Sequence, residues 1–322
     1  MKTTCIIDCY NHESFVVEAV NSLKNQTVKF AEIIIVDDCS TDNSAKVLKD
    51  KYANDDQITL ILKDKNQGQL AAFNDAFLAS TGDVIFFLDS DDLYQPTYLE
   101  EALNVYETNK DCDFIFCQPE RTGELAPDVK PSKIKSSVYD YGYSAASVFY
   151  LRRWVGDATS TLSMRRRILS KILPLPYIEE WITRADDCLV YGASIAGARK
   201  FFLNKPLVQY RFHGNNTVFT FNFDGSHYLY KRELSLDRLF SLMYQRMGYK
   251  MDLAELAVME FKTLQSPNLE DLDVYLKIVR LSKMSLFRKL KHMADILLYF
   301  RSFNKNPQPE ATLETKPEVA MG

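Results

Sequence analysis

Short apolar runs alternate with amphipathic segments in the first part of this chain, and this alternation constrains its fold more than any other feature. We predict strands at 3–9, 32–36, 58–62 and 84–88, each a short run of mostly apolar residues. Between the first two strands, apolar side chains recur at helical spacing in Phe15, Val16, Ala19, Val20 and Leu23, which predicts a helix with one buried face. The alternation indicates an α/β fold, with a parallel sheet and helices on its faces.

Polar side chains follow three of these strands at the point where each strand ends. They are Asp8, Tyr10 and Asn11 after the first strand, Asp37 and Asp38 after the second, and Asp89, Ser90, Asp91 and Asp92 after the fourth. One such turn is explained equally well as a solvated turn that caps the next helix. Three turns at the carboxyl edge of one parallel sheet instead predict a ligand site, because ligands of such sheets bind at that edge.

The three carboxylates of the 89–92 segment predict a divalent cation, because negative charges this close repel one another unless a cation lies between them. Carboxylate oxygens suit Mg²⁺ or Mn²⁺, and Mg²⁺ typically binds through one or two carboxylates plus substrate phosphates. The 66–77 segment predicts a turn that opens a helix, and the free amides of a helix N-terminus offer a place for a phosphate.

Composition excludes some partners and compartments. The 322 residues carry a net charge of -4, so no basic excess is available to neutralise the phosphates of a nucleic acid. Six cysteines show no zinc-binding spacing and are expected to be reduced core thiols. The N-terminus has no signal-peptide pattern and no apolar run reaches the length of a membrane span, so we expect a cytoplasmic protein.

The order and spacing of the polar segments resemble those of the family 2 glycosyltransferases, inverting enzymes with the GT-A fold. The resemblance extends over residues 3–220 and rests on 6–11, Gln26-Thr27, 34–38, Asn66-x-Gly68, Gly82-Asp83 and 89–92. It implies a mostly parallel sheet with helices on both faces. It also implies a nucleotide-sugar donor, with UDP the expected nucleotide, a divalent cation (Mn²⁺ or Mg²⁺), and a hydroxyl of a glycan or lipid-linked acceptor.

The resemblance further implies roles for the residues that end the strands. Tyr10 matches the position that stacks on the nucleotide base, and Asp38 matches the position that accepts the base N–H. Asp91 matches the metal-coordinating carboxylate, with Asp89 directed at the ribose and Asp92 close by.

Two positions depart from the pattern of the family. Asp8 stands where many members have proline, which is compatible with the family role if Asp8 contacts base or metal. Phe73 stands where many members have arginine in the segment that begins with Asn66 and Gly68, and this removes one possible phosphate contact.

The acidic pair of the family corresponds to the segment Arg184-Ala185-Asp186-Asp187. The resemblance implies that the general base is Asp186, or Asp187 if the register differs by one. A glycosyl transfer with inversion requires one carboxylate that takes the proton of the acceptor hydroxyl. An aspartate at the start of a helix is also a good cap, which is the structural alternative.

A strand at 206–213 resembles the closing element of the family. Its His213 is a candidate for the metal site or the diphosphate, and Arg211 for its support, whereas a hydrogen-bonded structural histidine is the alternative. The hydroxyl-rich segment 159–165 either touches a sugar or caps a short helix. The aromatic segments 139–143 and 147–154 either line an acceptor surface or pack beneath a loop predicted at 120–135.

Four regions are predicted along the chain. Residues 1–118 form the nucleotide-sugar-binding half, 119–223 the acceptor-binding and catalytic half, 224–303 a C-terminal helical extension, and 304–322 a disordered tail. In 283–305, the apolar residues Phe287, Leu290, Ala294, Leu297 and Leu298 recur at helical spacing within a locally basic segment. This pattern predicts either a helix on an anionic membrane surface or ordinary packing on the preceding helices.

Two other functions are weighed against glycosyl transfer. A sugar-nucleotide-forming nucleotidyltransferase would need a glycine-rich loop with lysine or arginine near its first strand, and 9–14 has neither feature. A catalytically inactive binding module would lose the acidic pair, which is present here.

Overall fold

One mixed sheet forms the centre of the protein in a computed structural model, which describes residues 1–127, 136–214, 216 and 223–305. Its strands are β1 (Thr3–Cys9), β2 (Glu32–Asp37), β3 (Ile58–Leu62), β4 (Val84–Asp89), β5 (Leu93–Tyr94), β6 (Phe114–Thr122), β7 (Val138–Gly142), β8 (Leu162–Arg165) and β9 (Lys200–Arg211). The helices of the described residues are α1 (Val16–Lys24), α2 (Ser44–Tyr52), α3 (Gln69–Ala79), α4 (Tyr98–Thr108), α5 (Ala145–Leu151), α6 (Arg166–Ile172), α7 (Ala185–Ile195), α8 (Ser226–Arg246), α9 (Ala257–Lys262), α10 (Leu269–Leu281) and α11 (Leu286–Lys305).

The strand order brings the polar strand ends together. The order is β3-β2-β1-β4-β8-β6-β9-β5, and β7 also pairs with β9. β1 to β4 are parallel to one another. β8 is antiparallel to both β4 and β6, so β6 runs in the same direction as β4, and β9 is parallel to β6. The mostly parallel α/β sheet predicted from the sequence is therefore confirmed, and β1, β2 and β4 end at one edge.

Helices cover both faces of the sheet because successive strand residues point to opposite sides. In β1, Ile6 packs in the same apolar cluster as Phe73 of α3. Its neighbours Cys5 and Ile7 pack in a second cluster, which includes Val16 of α1. The six cysteines are free thiols, as expected.

The predicted loop at 120–135 is wrong at its start. β6 continues to Thr122 because Glu120, Arg121 and Thr122 pair in parallel with the distal half of β9, after two register shifts that begin at Cys117. These pairing partners lie far away in the sequence, so the local composition of the segment could not predict the strand. Residues 128–135 lie outside the described residues.

The aromatic segment that follows belongs to the core. Tyr139 and Tyr141 are buried at 0% and 3% exposure in the cluster beneath α5 and α7, and Trp154 packs edge-on against Tyr191. The packing alternative is therefore correct for these three side chains.

The C-terminal helical extension is present and packs on the sheet domain. Leu236 and Phe240 of α8 join the core cluster that contains α7. Helices α9 to α11 form a separate cluster, and Glu260 of α9 accepts hydrogen bonds from the Ala146 and Ser147 amides of α5. Among the described residues, no helix combines the length and apolarity needed to cross a membrane.

The end of the chain differs in part from its prediction. Residues 304 and 305 belong to α11 rather than to a disordered tail, and 306–322 lie outside the described residues.

Candidate active site

Two buried carboxyl groups lie side by side where β1 and β4 end. Asp8 and Asp89 are register partners, and Gln69 Nε2 donates to Asp8 Oδ2 at 3.2 Å and to Asp89 Oδ1 at 3.0 Å. Burial raises the pKa of Asp8 to about 7, and burial together with the Asp8 charge raises the pKa of Asp89 well above its usual value. Asp8 Oδ1 is buried and has no hydrogen-bond partner in the part of the chain that the structure describes.

Asp92 braces the turn after β4. Its Oδ2 accepts from Ser160 Oγ at 2.5 Å, and its Oδ1 accepts from the Arg211 amide at 2.9 Å. Burial and the nearby Asp91 charge raise the pKa of Asp92 well above its usual value. We call Asp8, Asp89, Asp91 and Asp92, at the ends of β1 and β4, the acidic edge. The hydroxyl-rich segment 159–165 contributes Ser160 to this edge, and the Ser160 hydroxyl oxygen also accepts from the Asp89 amide at 3.1 Å.

Asp91 lies between two histidines. Its Oδ2 is 3.0 Å from His213 Nε2, 3.9 Å from His12 Nε2 and 3.2 Å from the Asn216 side-chain amide, which donates to it. Burial alone would raise the pKa of Asp91, but the His213 hydrogen bond and the His12 charge outweigh it and lower the pKa. The predicted proximity of Asp91 and His213 is therefore observed.

Sequence analysis missed His12, although a signal was present. The chain has only four histidines, and His12 follows directly on Tyr10 and Asn11 at the end of β1. Two sets of side chains place their ligand atoms within 4.8 Å of one another: His12, Asp91 and His213 form one, and Asp89, Asp91 and Asp92 form the other.

These residues fit a divalent cation. Carboxylate oxygens and imidazole nitrogens are suitable ligands, and the nearby Asp8 Oδ1 is a buried acceptor that has no donor among the described residues. A positive charge here would favour the ionised forms of carboxyl groups whose pKa burial now raises.

Arg211 contacts the turn that carries Asp91. Its Nε donates to the Asp91 carbonyl, its Nη1 pairs with Glu18, and its guanidinium lies 4.9 Å from the centre of the Phe15 ring. The side chain thus contacts the backbone of the candidate ligand Asp91.

The two residues predicted to bind the nucleotide base differ in exposure: Tyr10 is exposed, whereas Asp38 is buried. Tyr10 is 44% exposed at the end of β1. Asp38 is buried, and its carboxylate accepts from the Gln67 amide at 3.0 Å and the Gly68 amide at 2.6 Å and pairs with Lys63 at 3.0 Å. Sequence analysis did not find Lys63, which carries no motif.

The first amides of α3 are not free, which differs from what the sequence predicts for a phosphate site. The Gln69 and Leu70 amides donate to the Ile182 and Trp181 carbonyls at 3.0 and 3.3 Å, so they are not free for an anion. Gly68 permits this contact, since a Cβ there would lie 2.4 Å from the Ile182 Cα, and its φ is +86°. Asn66 is exposed on the same loop.

The acidic pair at the start of α7 has two different environments. Asp187 is fully buried, and Arg232 donates to it from Nε at 2.9 Å and Nη2 at 3.1 Å, with Arg184 Nη2 at 3.4 Å. Asp186 is half-buried, and burial together with the Asp187 charge raises its pKa to about 6. Neither aspartate is the cap, since Arg184 occupies that position.

Gln69 joins the acidic pair to the acidic edge. The Ala185 amide at the first turn of α7 donates to Gln69 Oε1 at 3.1 Å, while the Nε2 of the same side chain donates to Asp8 and Asp89. The charge of Asp186 is close enough to contribute to the raised pKa of Asp89. One edge of the sheet therefore carries a candidate cation site and a separate carboxylate with the pKa of a general base.

Solved structures share this fold. The S. aureus TarS 1–349 structure in complex with UDP superposes with a TM-score of 0.54 at 19% identity, over 96% of this chain and 92% of that chain. Together with the sheet and the C-terminal helices, this confirms the GT-A-like fold implied by the sequence.

The model described as Glycosyl transferase family 2 matches residues 4–173, more than half of the chain. An uncharacterized glycosyltransferase of Nostoc sp. is 34% identical over 219 residues, which are 67% of this chain and 66% of that protein. Chondroitin synthase of Escherichia coli is 36% identical over 117 residues, 33% of this chain and 17% of that protein. The chain spans slightly under two thirds of the Nostoc relative.

The chain belongs to glycosyl transferase family 2.

Proposed function

We propose that the protein moves a sugar, with inversion, from a UDP-sugar to a hydroxyl of a glycan or lipid-linked acceptor. The observation that carries this proposal is Asp186, a half-buried carboxylate with a pKa raised to about 6, beside the acidic edge that ends β4. The UDP bound to TarS supports UDP as the nucleotide, and the chondroitin synthase relative supports a glycan acceptor.

The end of β1 and the loop before α3 are the proposed donor site. Tyr10 stacks on the base, which its exposed ring allows. Asp38 is the proposed acceptor of the base N–H, a role in which the base would compete with the Gln67 and Gly68 amides that Asp38 now accepts. Asp89 faces the ribose, Asn66 adds a polar contact, and Gly68 holds the loop against the segment before α7.

Asp91 and His213 are the proposed ligands of a divalent cation, Mn²⁺ or Mg²⁺, with Asp8 beside them. When bound, the cation would neutralise charge on the departing diphosphate. Asp92 and Arg211 keep the Asp91 turn in place, since Asp92 accepts the Arg211 amide and Arg211 Nε donates to the Asp91 carbonyl.

Asp186 is the proposed general base. Its carboxylate takes the proton of the acceptor hydroxyl as the acceptor oxygen forms a bond to the anomeric carbon, on the face opposite the diphosphate. The bond between that carbon and the diphosphate oxygen breaks, and its electron pair leaves with the diphosphate. Asp187 is not proposed as the base, because both its oxygens accept from Arg232 in a fully buried position.

Turnover of a panel of UDP-, GDP- and dTDP-sugars tests this function. We expect release of UDP from one UDP-sugar that requires Mn²⁺ or Mg²⁺ and is abolished by Asp91→Ala. The exposed carboxylate Asp237 provides a control, as Asp237→Asn is expected to match the wild type. Full activity in excess chelator would refute the role of the cation. Failure of every nucleotide sugar, with turnover of a nucleoside triphosphate and a sugar 1-phosphate, would instead identify a nucleotidyltransferase.

We also propose that α11 rests on an anionic membrane surface, as suits a lipid-linked acceptor. α11 packs inward through Ile296 and Phe300, whereas Phe287, Leu290 and Leu298 are 79%, 55% and 62% exposed. The alternative that this apolar stripe packs on the preceding helices is thus wrong for these three residues.

Basic residues share the exposed side of α11. Lys291 and Arg301 are exposed and lie four residues from Phe287 and three from Leu298, so each is on the same side of the helix as its apolar neighbour. Lys283 and Lys305 flank the stripe and are also exposed. Each basic residue near an anionic surface contributes about 1 kcal/mol, which favours an anionic lipid surface as the occupant.

Sedimentation with phosphatidylglycerol vesicles tests the surface. Wild type should pellet with the vesicles, less so at high salt and not with phosphatidylcholine alone. Phe287→Ser/Leu290→Ser should stay in the supernatant, while Leu78→Ser, which changes an exposed leucine of α3, should bind like the wild type. Equal recovery of all three proteins in the supernatant would reject the membrane role. Concentration-dependent dimers lost in the double variant would show that a second copy covers the stripe.

A further inference from the structure

We propose that His12 is a third ligand of the cation, so that the site binds through two imidazoles and one carboxylate and prefers Mn²⁺ to Mg²⁺. This inference rests on the proposed cation role of Asp91 and His213, and adds a residue outside the segments on which the family resemblance rests.

The geometry of the three ligand atoms suits one ion. His12 Nε2 and His213 Nε2 lie 3.9 Å and 3.0 Å from the same Asp91 oxygen, and one ligand atom from each of the three residues lies within 4.8 Å of the others. At a metal–ligand distance of about 2.1 Å, two ligands at right angles are about 3 Å apart and opposite ligands about 4 Å apart. The 3.0 Å spacing of His213 Nε2 from Asp91 therefore fits neighbouring positions around a single ion, and the 3.9 Å spacing of His12 Nε2 from Asp91 fits a wider angle at the same ion.

The other ring nitrogen of His12 is already held. Nδ1 lies 2.8 Å from Ser90 Oγ, and Ser90 is buried between the two candidate carboxylates Asp89 and Asp91. Metal-binding histidines typically make such a hydrogen bond through the nitrogen that does not bind the metal, which sets the orientation of the ring. The bond to Ser90 leaves Nε2 as the nitrogen on the side of Asp91.

Phe15 holds both imidazoles in place. Its ring stacks on His213 at 4.5 Å between centroids and meets His12 edge-on at 5.9 Å. The two imidazoles are themselves 6.0 Å apart between centroids. One aromatic side chain therefore contacts both rings, which restricts their orientation.

The chemistry of this ligand set determines the preferred ion. Imidazole nitrogen suits first-row transition metals, whereas Mg²⁺ prefers oxygen ligands and retains water. Each oxygen of Asp92 accepts a hydrogen bond, from Ser160 or from the Arg211 amide, whereas Nε2 of each histidine lies on the side of Asp91. Two nitrogens and one oxygen therefore favour Mn²⁺.

Calorimetric titration of the full chain with Mn²⁺ alone and with Mg²⁺ alone tests the inference. His12→Ala should weaken Mn²⁺ binding by about 10-fold or more and change Mg²⁺ binding less than twofold. Loss of a residue that only orients a metal ligand already costs about 10-fold in metal affinity. His292→Ala, which changes a histidine of α11, is the matched control and should leave both unchanged. Equal weakening of both metals by His12→Ala, or unchanged Mn²⁺ affinity, would overturn the assignment.

Pulsed electron paramagnetic resonance of the Mn²⁺-loaded wild type decides the question even if His12→Ala does not fold. Couplings to two imidazole nitrogens are expected, and coupling to one or none would overturn the assignment. The readout does not depend on turnover. Two coupled nitrogens in a protein that turns over no nucleotide sugar would therefore refute the proposed function and leave the metal site standing.

Discussion

The two aspartates of the acidic pair, Asp186 and Asp187, should have different roles: replacing Asp187 should lower the stability of the fold, and replacing Asp186 should lower the rate of catalysis. Asp187→Asn removes the charge that faces Arg232 and Arg184 in a fully buried position. Loss of one partner of a buried ion pair costs about 3–5 kcal/mol. The arginine side chains are 15% and 18% exposed, so water partly compensates them and we take the lower value, about 3 kcal/mol.

This cost converts to a measurable shift in the unfolding temperature. An unfolding entropy of about 2.1 cal/mol/K per residue gives about 0.7 kcal/mol/K for 322 residues. Asp187→Asn should therefore lower Tm by about 4 °C. Asp186→Asn should change Tm by less than about 1 °C, because Asp186 is half-buried and its Oδ1 accepts from the Asp187 amide, a bond that asparagine retains.

The variant with the smaller change in Tm, Asp186→Asn, should have the larger loss of turnover. Asp186→Asn should lower kcat by a factor on the order of 10² or more, as expected on loss of a general base. Asp187→Asn should retain most of the turnover below its new Tm. Scanning calorimetry and nucleotide-sugar turnover on the same preparations measure both effects. An Asp187→Asn protein with unchanged Tm and a 10²-fold loss, beside an active Asp186→Asn, would refute this division of roles.

Three further predictions follow from the same region. Below pH 6, kcat/KM should fall about tenfold per pH unit, because burial raises the pKa of Asp186 to about 6 and only its unprotonated form accepts a proton; a flat profile from pH 4.5 to 8 would contradict this. Arg232→Met should lower Tm about as much as Asp187→Asn, and the double variant should lose less than the sum of the two; additive losses would show that the residues do not interact. Gly68→Ala should lower both Tm and turnover, because the added Cβ would lie 2.4 Å from the Ile182 Cα. Gly197→Ala is the control, since Gly197 also has a positive φ but an added Cβ there would meet no atom within 4 Å. Equal effects of the two substitutions would show that backbone strain alone is responsible.

How far the sequence predicts this protein depends on how local each feature is. The bounds of β1 and β3 agree with the sequence prediction, because short apolar runs report directly on local structure. The convergence of Asp8, Asp38 and Asp89–Asp92 at one edge also follows from the sequence, since parallel strands end on the same side of a sheet.

Contacts between distant segments could not be derived in this way. His213 meets Asp91 across 122 residues, a proximity that only the family resemblance implied, and Arg232 reaches Asp187 from a helix in which the sequence shows no motif of chemistry. Gln69 looks like an ordinary helix residue until the fold places it between Asp89 and the start of α7. The residue types suggest which groups can interact, but only the packed chain selects the pairs that do.

The sequence by itself determined the α/β class, the acidic edge and the two candidate bases. The tertiary structure decided which aspartate is buried against Arg232, that His12 joins Asp91, and that the Phe287 side of α11 remains uncovered. The physical reason is the same in each case. A sequence pattern states that a face is apolar or a group is charged, whereas burial and pKa depend on which other segments of the chain come to cover that face or that group.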